Sequence, residues 1–332
     1  MEVLWSIGQF VVGLVLILKG ADWLTDGASA FARRLHVSTM IIGLTIVAFG
    51  TSAPELVVSA LSSAEGHSDM AIGNIIGSNL FNSLAIMGVT ALISRVKCTR
   101  NNIAYEIPMC ILASGVLFVM ANDTLINGAD AGSNVISRSE GIILLCFFLI
   151  FLAYTFVSAM AGRNSAEAAD ETTADAPKEM PVWKSILLFV IGLACLVFGG
   201  DWLVDGASAI ALQMGVSQSI VALTIVSAGT SFPELVTSIV AARKGDTDMA
   251  MGNVVGSNIF NVLMILGVSS VICPLGLGSI GLIDFAVLLI SALALWSVSN
   301  FGKRKYTITR TEGAVLVLMM IAYYVYIVMQ AL

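Results

Sequence analysis

Charge is scarce in this chain. Asp, Glu, Lys and Arg make up only 11% of its 332 residues, against 58% hydrophobic. At a mean hydropathy of +0.94, a soluble domain of this length would expose more apolar surface than it could hide, which excludes a water-soluble globular class and indicates a polytopic membrane protein. Basic runs are lacking as well: the Lys and Arg residues sit in short loops with no patch or stripe, which argues against nucleic acid as a partner. The net charge of −6 says little by itself, because in a membrane protein the position of each charge matters. There are two histidines, His36 and His67, both in loops. With no HExxH, no Ser-Lys or Asp-Asp pair and no His in a span, the usual machinery of an intramembrane enzyme is missing. The five cysteines, Cys98, Cys110, Cys146, Cys195 and Cys273, form no CxxC pair and mostly fall in or beside apolar runs. They read as free thiols, without a disulfide or metal role. The start, Met1-Glu2-Val3-Leu4-Trp5, lacks a basic leader and a small-residue cleavage site, so the first apolar segment is expected to be a retained helix.

What the chain has is long apolar runs. Runs of roughly 20 residues read as transmembrane spans. Ten are expected, near residues 5–30, 37–63, 70–94, 103–121, 139–159, 183–209, 216–242, 249–273, 278–299 and 312–331. Loops after the odd-numbered spans carry Arg33 and Arg34; Arg95, Lys97 and Arg100; Arg163, Lys178 and Lys184; Arg243 and Lys244; and Lys303, Arg304, Lys305 and Arg310. The other side carries only Arg138. By the positive-inside rule the basic loops are cytoplasmic and both termini lie outside.

The chain is also duplicated. Gly50-Thr51-Ser52-Ala53-Pro54-Glu55 returns as Gly229-Thr230-Ser231-Phe232-Pro233-Glu234, a displacement of 234 − 55 = 179, and more than half of the residues from Gly20 to Asn82 equal those from Gly199 to Asn261. The expected organisation is a first repeat over 1–160, a cytoplasmic linker over 161–182 and a second repeat over 183–332. With five spans per half, the second half enters from the opposite side, so the repeats are expected to be inverted. That arrangement would turn Glu55 and Glu234 toward one another near mid-membrane. The acids of the linker (Glu167, Asp170, Glu171, Asp175) lack a calcium-loop pattern and read as a solvated connection. The outer loop with Asn122, Asp123, Asn127 and Asp130 has no closing Glu and reads as an ordinary loop.

Pro54 has no amide hydrogen and crowds the carbonyl of Gly50, so the helix is expected to open there and free carbonyls between Val47 and Thr51. Pro233 and Gly229 do the same for Val226 to Thr230. Broken helices at membrane depth occur where they line a cavity or a cation site. Each Glu costs about 2.5–3.5 kcal/mol at the bilayer centre, and no Lys or Arg lies at that depth except Lys19, which could pair with Asp22 but whose repeat mate is Phe198. A transported cation is the simplest countercharge. A second pattern, Gly73-Asn74-x-x-Gly77-Ser78-Asn79-x-Phe81-Asn82, repeats as Gly252-Asn253-x-x-Gly256-Ser257-Asn258-x-Phe260-Asn261. Its four-residue spacing sets a polar row beside glycines that allow close helix approach. Asn74, Asn79, Asn253 and Asn258 read as interhelical hydrogen-bonding residues, and Ser78, Asn82, Ser257 and Asn261 as ligands. Asp22, Asp26, Asp201 and Asp205 read as helix-end hydrogen-bonding groups.

Two carboxylates, the hydroxyls of Thr51, Ser52, Thr230 and Ser231, the oxygens of Ser78, Asn82, Ser257 and Asn261 and several carbonyls form an all-oxygen set. It suits a hard cation: calcium accepts 6–8 oxygens in flexible geometry, magnesium a tighter octahedron, and zinc would call for His or Cys. A cation channel with the same topology remains open at this point.

The pair GTSAPEL (50–56) and GTSFPEL (229–235), each followed by GNxxGSNxFN, resembles the two alpha-repeats of the calcium/cation antiporter superfamily, and within it the prokaryotic sodium/calcium exchanger branch. The resemblance is carried by Gly20 to Asn82 and Gly199 to Asn261; the remaining helices match in number and hydropathy. It implies an all-α membrane protein of ten helices in two inverted five-helix repeats, broken at the ion site. It implies that Glu55 and Glu234 with the carbonyls of Thr51 and Thr230 hold Ca2+, and that Na+ uses the same residues with Ala48, Ser52 and Ser78, and with Ser227, Ser231 and Ser257. Asn82 and Asn261 would lie at the centre. Some relatives carry an Asp at one of these places; two amides here argue against potassium dependence. The resemblance further implies Na+/Ca2+ antiport in a prokaryotic inner membrane, with no cofactor and no obligatory protein partner. Proton-coupled relatives usually have Asn where Thr51 stands, so Ca2+/H+ exchange is the alternative.

Overall fold

A computed structural model describes residues 2–128, 134–169, 180–214, 229–278 and 280–331. Among them, eight helices are long and apolar enough to cross a membrane, and a bent pair supplies a ninth crossing when taken as one span. In chain order these are α1 (Glu2–Leu35), the bent pair α2 (Thr39–Thr51) and α3 (Ala53–Ala64), α4 (Ser68–Ile93), α5 (Asn102–Met120), then, after the short α6 (Asp123–Asn127), α7 (Arg138–Ala169) and α8 (Val182–Gln213). After α9 (Phe232–Arg243) come α10 (Thr247–Ile272), α11 (Leu282–Phe301) and α12 (Arg310–Ala331). The span expected over 216–242 falls partly outside the described residues, and its described part is α9. Residues 161–169 of the expected linker continue α7 as helix, while 170–179 lie outside the described residues.

Polarity is inverted relative to a soluble protein. Trp5, Leu149 and Phe156 are 67%, 64% and 68% exposed, whereas Glu55 and Glu234 are 0% and 1% exposed. Apolar side chains on helix surfaces cost nothing against lipid, and charged groups retreat inward. All five cysteines are free thiols, with Cys146 on the exposed surface.

Two compact units make up the fold, and each draws on both halves of the sequence: Met1–Ser52 with Ala153–Asn253, and Ala53–Leu152 with Val254–Leu332. In the first, α1 and α8 run antiparallel in close contact. Gly13, Gly20 and Gly27 on α1 and their repeat mates Gly192, Gly199 and Gly206 on α8 recur every seven residues, and a methyl group on any of them would meet the partner's backbone. At Gly20 it would stand 2.7 Å from Gly192 O and 3.0 Å from Leu196 N; at Gly199 it would stand 3.0 Å from Gly13 O. Small residues let two backbones approach where lipid offers no hydrophobic driving force. Ile17, Ala21, Leu24, Ala28 and Ala32 continue this face of α1 into a core with Leu196, Leu203, Ala241, Ala242, Met249 and Ala250. The start of α10 crosses α2 at Gly43 and Gly252, whose added methyl groups would lie 2.8 Å from Met249 O and 2.9 Å from Leu44 N. Gly252 therefore fills the close-approach role expected of it; its mate Gly73 meets only the side chain of Ile280, at 3.5 Å.

In the second unit, α12 crosses α4 at Gly88 and Gly313, and α7 crosses α10 at Gly141 and Gly267, again glycine against backbone. Two two-residue antiparallel pairings tie its loops: β1 (Val96–Lys97) with β4 (Thr307–Ile308), and β2 (Val135–Ile136) with β3 (Leu275–Gly276). Helices α7 and α12 both carry in their first turn a Glu whose carboxylate accepts from the backbone N–H three residues earlier. Glu140 Oε2 accepts from Ser137 N (2.7 Å) while Ser137 Oγ accepts from Glu140 N (3.3 Å), a reciprocal cap. Glu312 likewise accepts from Thr309 N (2.6 Å) and from Lys303 N (2.6 Å).

Asp22 and Asp26 were expected at a helix end. Instead α1 continues to Leu35, and both carboxylates meet Lys244 Nζ, at 3.3 and 2.8 Å. The ion pair of Asp22 is thus with Lys244 and not with Lys19. Asp201 and Asp205 likewise lie inside α8. The hydrophobic run ends before the helix does, because the last turns of α1 reach into the polar loop region.

Gly20→Ala is expected to lower the stability of the detergent-solubilised protein by about 1–3 kcal/mol, because its methyl group must push backbone apart. Gly115→Ala, with no atom within 4 Å of the added carbon, should stabilise by roughly 0.5–1 kcal/mol. Unfolding midpoints of the two variants read this directly.

Candidate functional site

The two GTSxPE segments share the same backbone turn ahead of the acid. Ser52 has φ −85° and ψ 9°, and its mate Ser231 has φ −92° and ψ 6°. Both lie in the sparsely populated bridge region. The axis turns by 48° between α2 and α3. Pro occupies the second position of the following helix, where its missing N–H costs nothing. That places Glu55 and Glu234 at the third position of α3 and α9, in the first turn, where exposed N–H groups and the helix dipole favour an anion.

The break falls one residue later than the carbonyl argument expected. Helix α2 includes a π-helical turn at Gly43–Val47 and stays helical through Thr51. Ala48 O accepts the Ser52 N–H at 3.0 Å, and the Thr51 hydroxyl shares its hydrogen bond between Val47 O (3.1 Å) and Asn253 Oδ1 (3.1 Å). The opening is therefore at Ser52, since the hydroxyl of Thr51 closes the turn that Pro54 would otherwise loosen. In the second repeat Thr230 and Ser231 are described, whereas Ser227 and Val226 lie outside the described residues.

In the first unit, Ser52 Oγ donates to Glu234 Oε1 at 3.0 Å. The spacing Ser52-x-x-Glu55 has the form of a capping box, yet this hydroxyl is directed to the acid of the other repeat. Asn253 Nδ2 donates to Glu234 O (3.2 Å) and Ser238 Oγ (3.0 Å). Glu234 Oε2 and Thr230 Oγ1 are buried with no hydrogen-bond partner among the described residues.

In the second unit, Ser78 Oγ donates to Glu55 Oε1 at 3.4 Å, and Asn74 Nδ2 reaches Glu55 O (3.4 Å) and Ser59 Oγ (3.0 Å). The polar rows of α4 and α10 meet through four amides. Asn79 Nδ2 donates to the backbone carbonyl of Asn258 (3.1 Å), which can only accept, so the orientation of Asn79 is determined. Its Oδ1 must then accept from Asn261 Nδ2 (2.8 Å). Asn82 Nδ2 donates to Asn258 Oδ1 (3.1 Å), and Asn258 Nδ2 to Ser83 Oγ (2.7 Å). The amide nitrogens of Asn82 and Asn261 are thereby engaged, and the oxygens of both, with Ser257 Oγ, are left buried and partnerless among the described residues. A buried polar atom in that condition costs about 1–3 kcal/mol; oxygens alone in this condition form a donor set for a hard cation. Both polar rows widen into π-helical turns at this level, Phe81–Ile86 and Phe260–Ile265, a distortion frequent at functional sites.

The structure thus joins Ser52 to Glu234 and Ser78 to Glu55, and buries Thr51, Ser231, Ser257, Asn82 and Asn261. Asn74, Asn79, Asn253 and Asn258 all bond between helices, as expected. Sequence reasoning passed over Ser59 and Ser238. Each is four residues beyond its Glu and each repeats at the same displacement, 238 − 59 = 179, a signal that would have found them. Ser83 carried no such signal, because its mate is Val262.

Comparison with known proteins places these residues in a family. The family model described as sodium/calcium exchanger protein matches residues 5–157 and 184–329. CaxA of Alkalimonas amylolytica is 39% identical over 94% of this chain and 95% of its own length. The sodium/calcium exchanger MaX1 of Methanosarcina acetivorans is 32% identical over 95% and 96%. A solved structure of the sodium-calcium exchanger NCX_Mj superposes with a TM-score of 0.79 at 30% identity, over 99% of this chain and all of that one. With near-full coverage by the family model and relatives above 30% identity over nearly their whole length, this chain belongs to the sodium/calcium exchanger family.

Proposed function

We propose that the protein is a secondary antiporter that exchanges Na+ for Ca2+ across the membrane by alternating access. The observation that carries this reading is the pair of fully buried glutamates, each at the third position of a helix that opens on a serine in the bridge region and each with a serine hydroxyl on its carboxylate. Glu55, Glu234 and the carbonyls of Thr51 and Thr230 hold Ca2+. Na+ takes the same residues with Ala48, Ser52, Ser78, Ser227, Ser231 and Ser257, and Asn82 and Asn261 occupy the centre of the site. The relatives named as sodium/calcium exchangers favour sodium over proton coupling.

The reading includes ten spans in two inverted repeats, 1–160 and 183–332, joined by a cytoplasmic linker at 161–182. Supporting it, repeat mates α1 and α8 run antiparallel, and the short strands pair across the repeats. The protein sits in a prokaryotic inner membrane, with termini outside and basic loops cytoplasmic, surrounded by lipid and needing no cofactor or protein partner.

Charge sets the stoichiometric logic. Two ionised glutamates carry about −2, which one Ca2+ or two Na+ neutralise. A third Na+ per cycle would make transport electrogenic, driven by about 2.3 kcal/mol per charge per 100 mV.

In proteoliposomes loaded with sodium, calcium-45 uptake is expected to follow the outward sodium gradient and to respond to an imposed potential. Uptake that ignores sodium and tracks a pH gradient would instead establish proton exchange. Glu55→Gln and Glu234→Gln should each reduce sodium-driven uptake at least 100-fold, because a neutral amide leaves the divalent ion without its countercharge; a channel would retain downhill calcium flux without counter-ion in these variants.

A further inference from the structure

Asn253 lies between two groups that the exchange reading places at the ion. Its side chain is fully buried at 0% exposure. On one side Nδ2 holds Glu234 O (3.2 Å) and Ser238 Oγ (3.0 Å), acceptors one turn apart on the same face of α9. On the other, Oδ1 accepts from the Thr51 hydroxyl (3.1 Å). Ser52, next in the chain, donates to the Glu234 carboxylate (3.0 Å). Two arms therefore run from the first break to the second acid, one direct to its carboxylate and one through Asn253 to its main chain.

Gripping positions i and i+4 of a helix fixes its rotation about its own axis. A carboxylate stands about 5–6 Å from that axis, so a turn of about 10° displaces it by roughly 1 Å. Cation–oxygen distances for calcium span only about 2.3–2.6 Å, so a shift of that size takes an oxygen out of coordination. The first-repeat mate Asn74 makes the same double contact, to Glu55 O (3.4 Å) and Ser59 Oγ (3.0 Å). The recurrence marks the grip as a feature of the duplicated design; the link to Thr51 is what Asn253 adds.

We propose that Asn253 is a positioning residue for cation exchange: its amide sets the rotation of the first turn of α9 and ties it to the Thr51–Ser52 break, so that the Glu234 carboxylate meets the ion. The proposal rests on the exchanger reading. It differs from a plain interhelical bond in what its loss changes. Loss of mere adhesion lowers stability and leaves affinity alone; loss of positioning raises the calcium concentration needed for half-maximal uptake.

The test uses the full chain in sodium-loaded proteoliposomes, with calcium-45 uptake and ion-free unfolding midpoints measured on the same preparations. Asn253→Ala should raise half-saturating calcium at least tenfold with maximal rate within twofold of wild type, while the midpoint falls because buried partners are left unpaired. A rise of less than tenfold, whatever the midpoint, would overturn the proposal. Should Asn253→Ala fail to fold, Ser238→Ala decides: a rise of threefold or more supports the proposal and a smaller one overturns it. Thr51→Val and Ser238→Ala remove partners on opposite sides of the amide, so their effects on half-saturation should combine to less than their product; independent multiplication would count against a shared positioner. If wild-type vesicles show no sodium-driven uptake, the exchanger reading is what fails, and equilibrium calcium-45 binding by the same variants then judges Asn253.

Discussion

A carboxylate in hydrocarbon is the constraint from which the rest of this structure follows. Water would solvate Glu55 and Glu234 at no cost, but neither side chain is exposed beyond 1%. Burial of an ionised acid is tolerated only where dipoles and cations replace the lost hydration. The chain supplies the dipoles by starting a helix under each acid. It does so with the one residue type that can occupy a first turn without wasting a donor and cannot occupy an interior without breaking it, which is why Pro54 and Pro233 stand directly before the glutamates.

Breaking a span at its centre has consequences for everything packed around it. The halves of a broken helix cannot rely on their own continuity, so their neighbours must hold them. Close backbone contact at Gly43 and Gly252 fastens α2, and the Asn253–Ser238 and Asn74–Ser59 contacts fasten the first turns of α9 and α3. The long helices α1 and α8 are joined along their glycine faces by shape, with glycine every seventh residue opposing backbone.

The polar rows show how interhelical amide bonds leave oxygen atoms facing inward. Every amide nitrogen in the row is engaged, by a backbone carbonyl, a serine or another amide, and the surplus falls entirely on oxygen. Asn79 is the key to that arrangement, because its bond to a main-chain carbonyl leaves no freedom in how Asn261 is turned. The result is a donor set with no nitrogen or sulfur in it, matched to hard cations by chemistry and independent of any one distance.

Much of this was legible in the chain before any coordinates. Hydropathy located the apolar helices that the structure describes, because runs of that length have few other stable fates, and the duplicated Gly-Thr-Ser-x-Pro-Glu located the turn ahead of each acid because proline acts locally. The burial of both acids was expected from the same motif, since each Glu stands inside an apolar run. Other features were not readable. That the opening falls at Ser52 depends on Thr51 capping its own turn, that Ser52 serves Glu234 depends on a residue 182 positions away, and that Asp22 pairs with Lys244 depends on one 222 positions away in sequence. Sequence by itself determined where the backbone must bend and which acids lie in apolar surroundings, because propensity and hydropathy are properties of short segments. Only the tertiary structure decided which hydroxyl meets which carboxylate, because a hydrogen bond is made by whichever partner folding brings within about 3 Å.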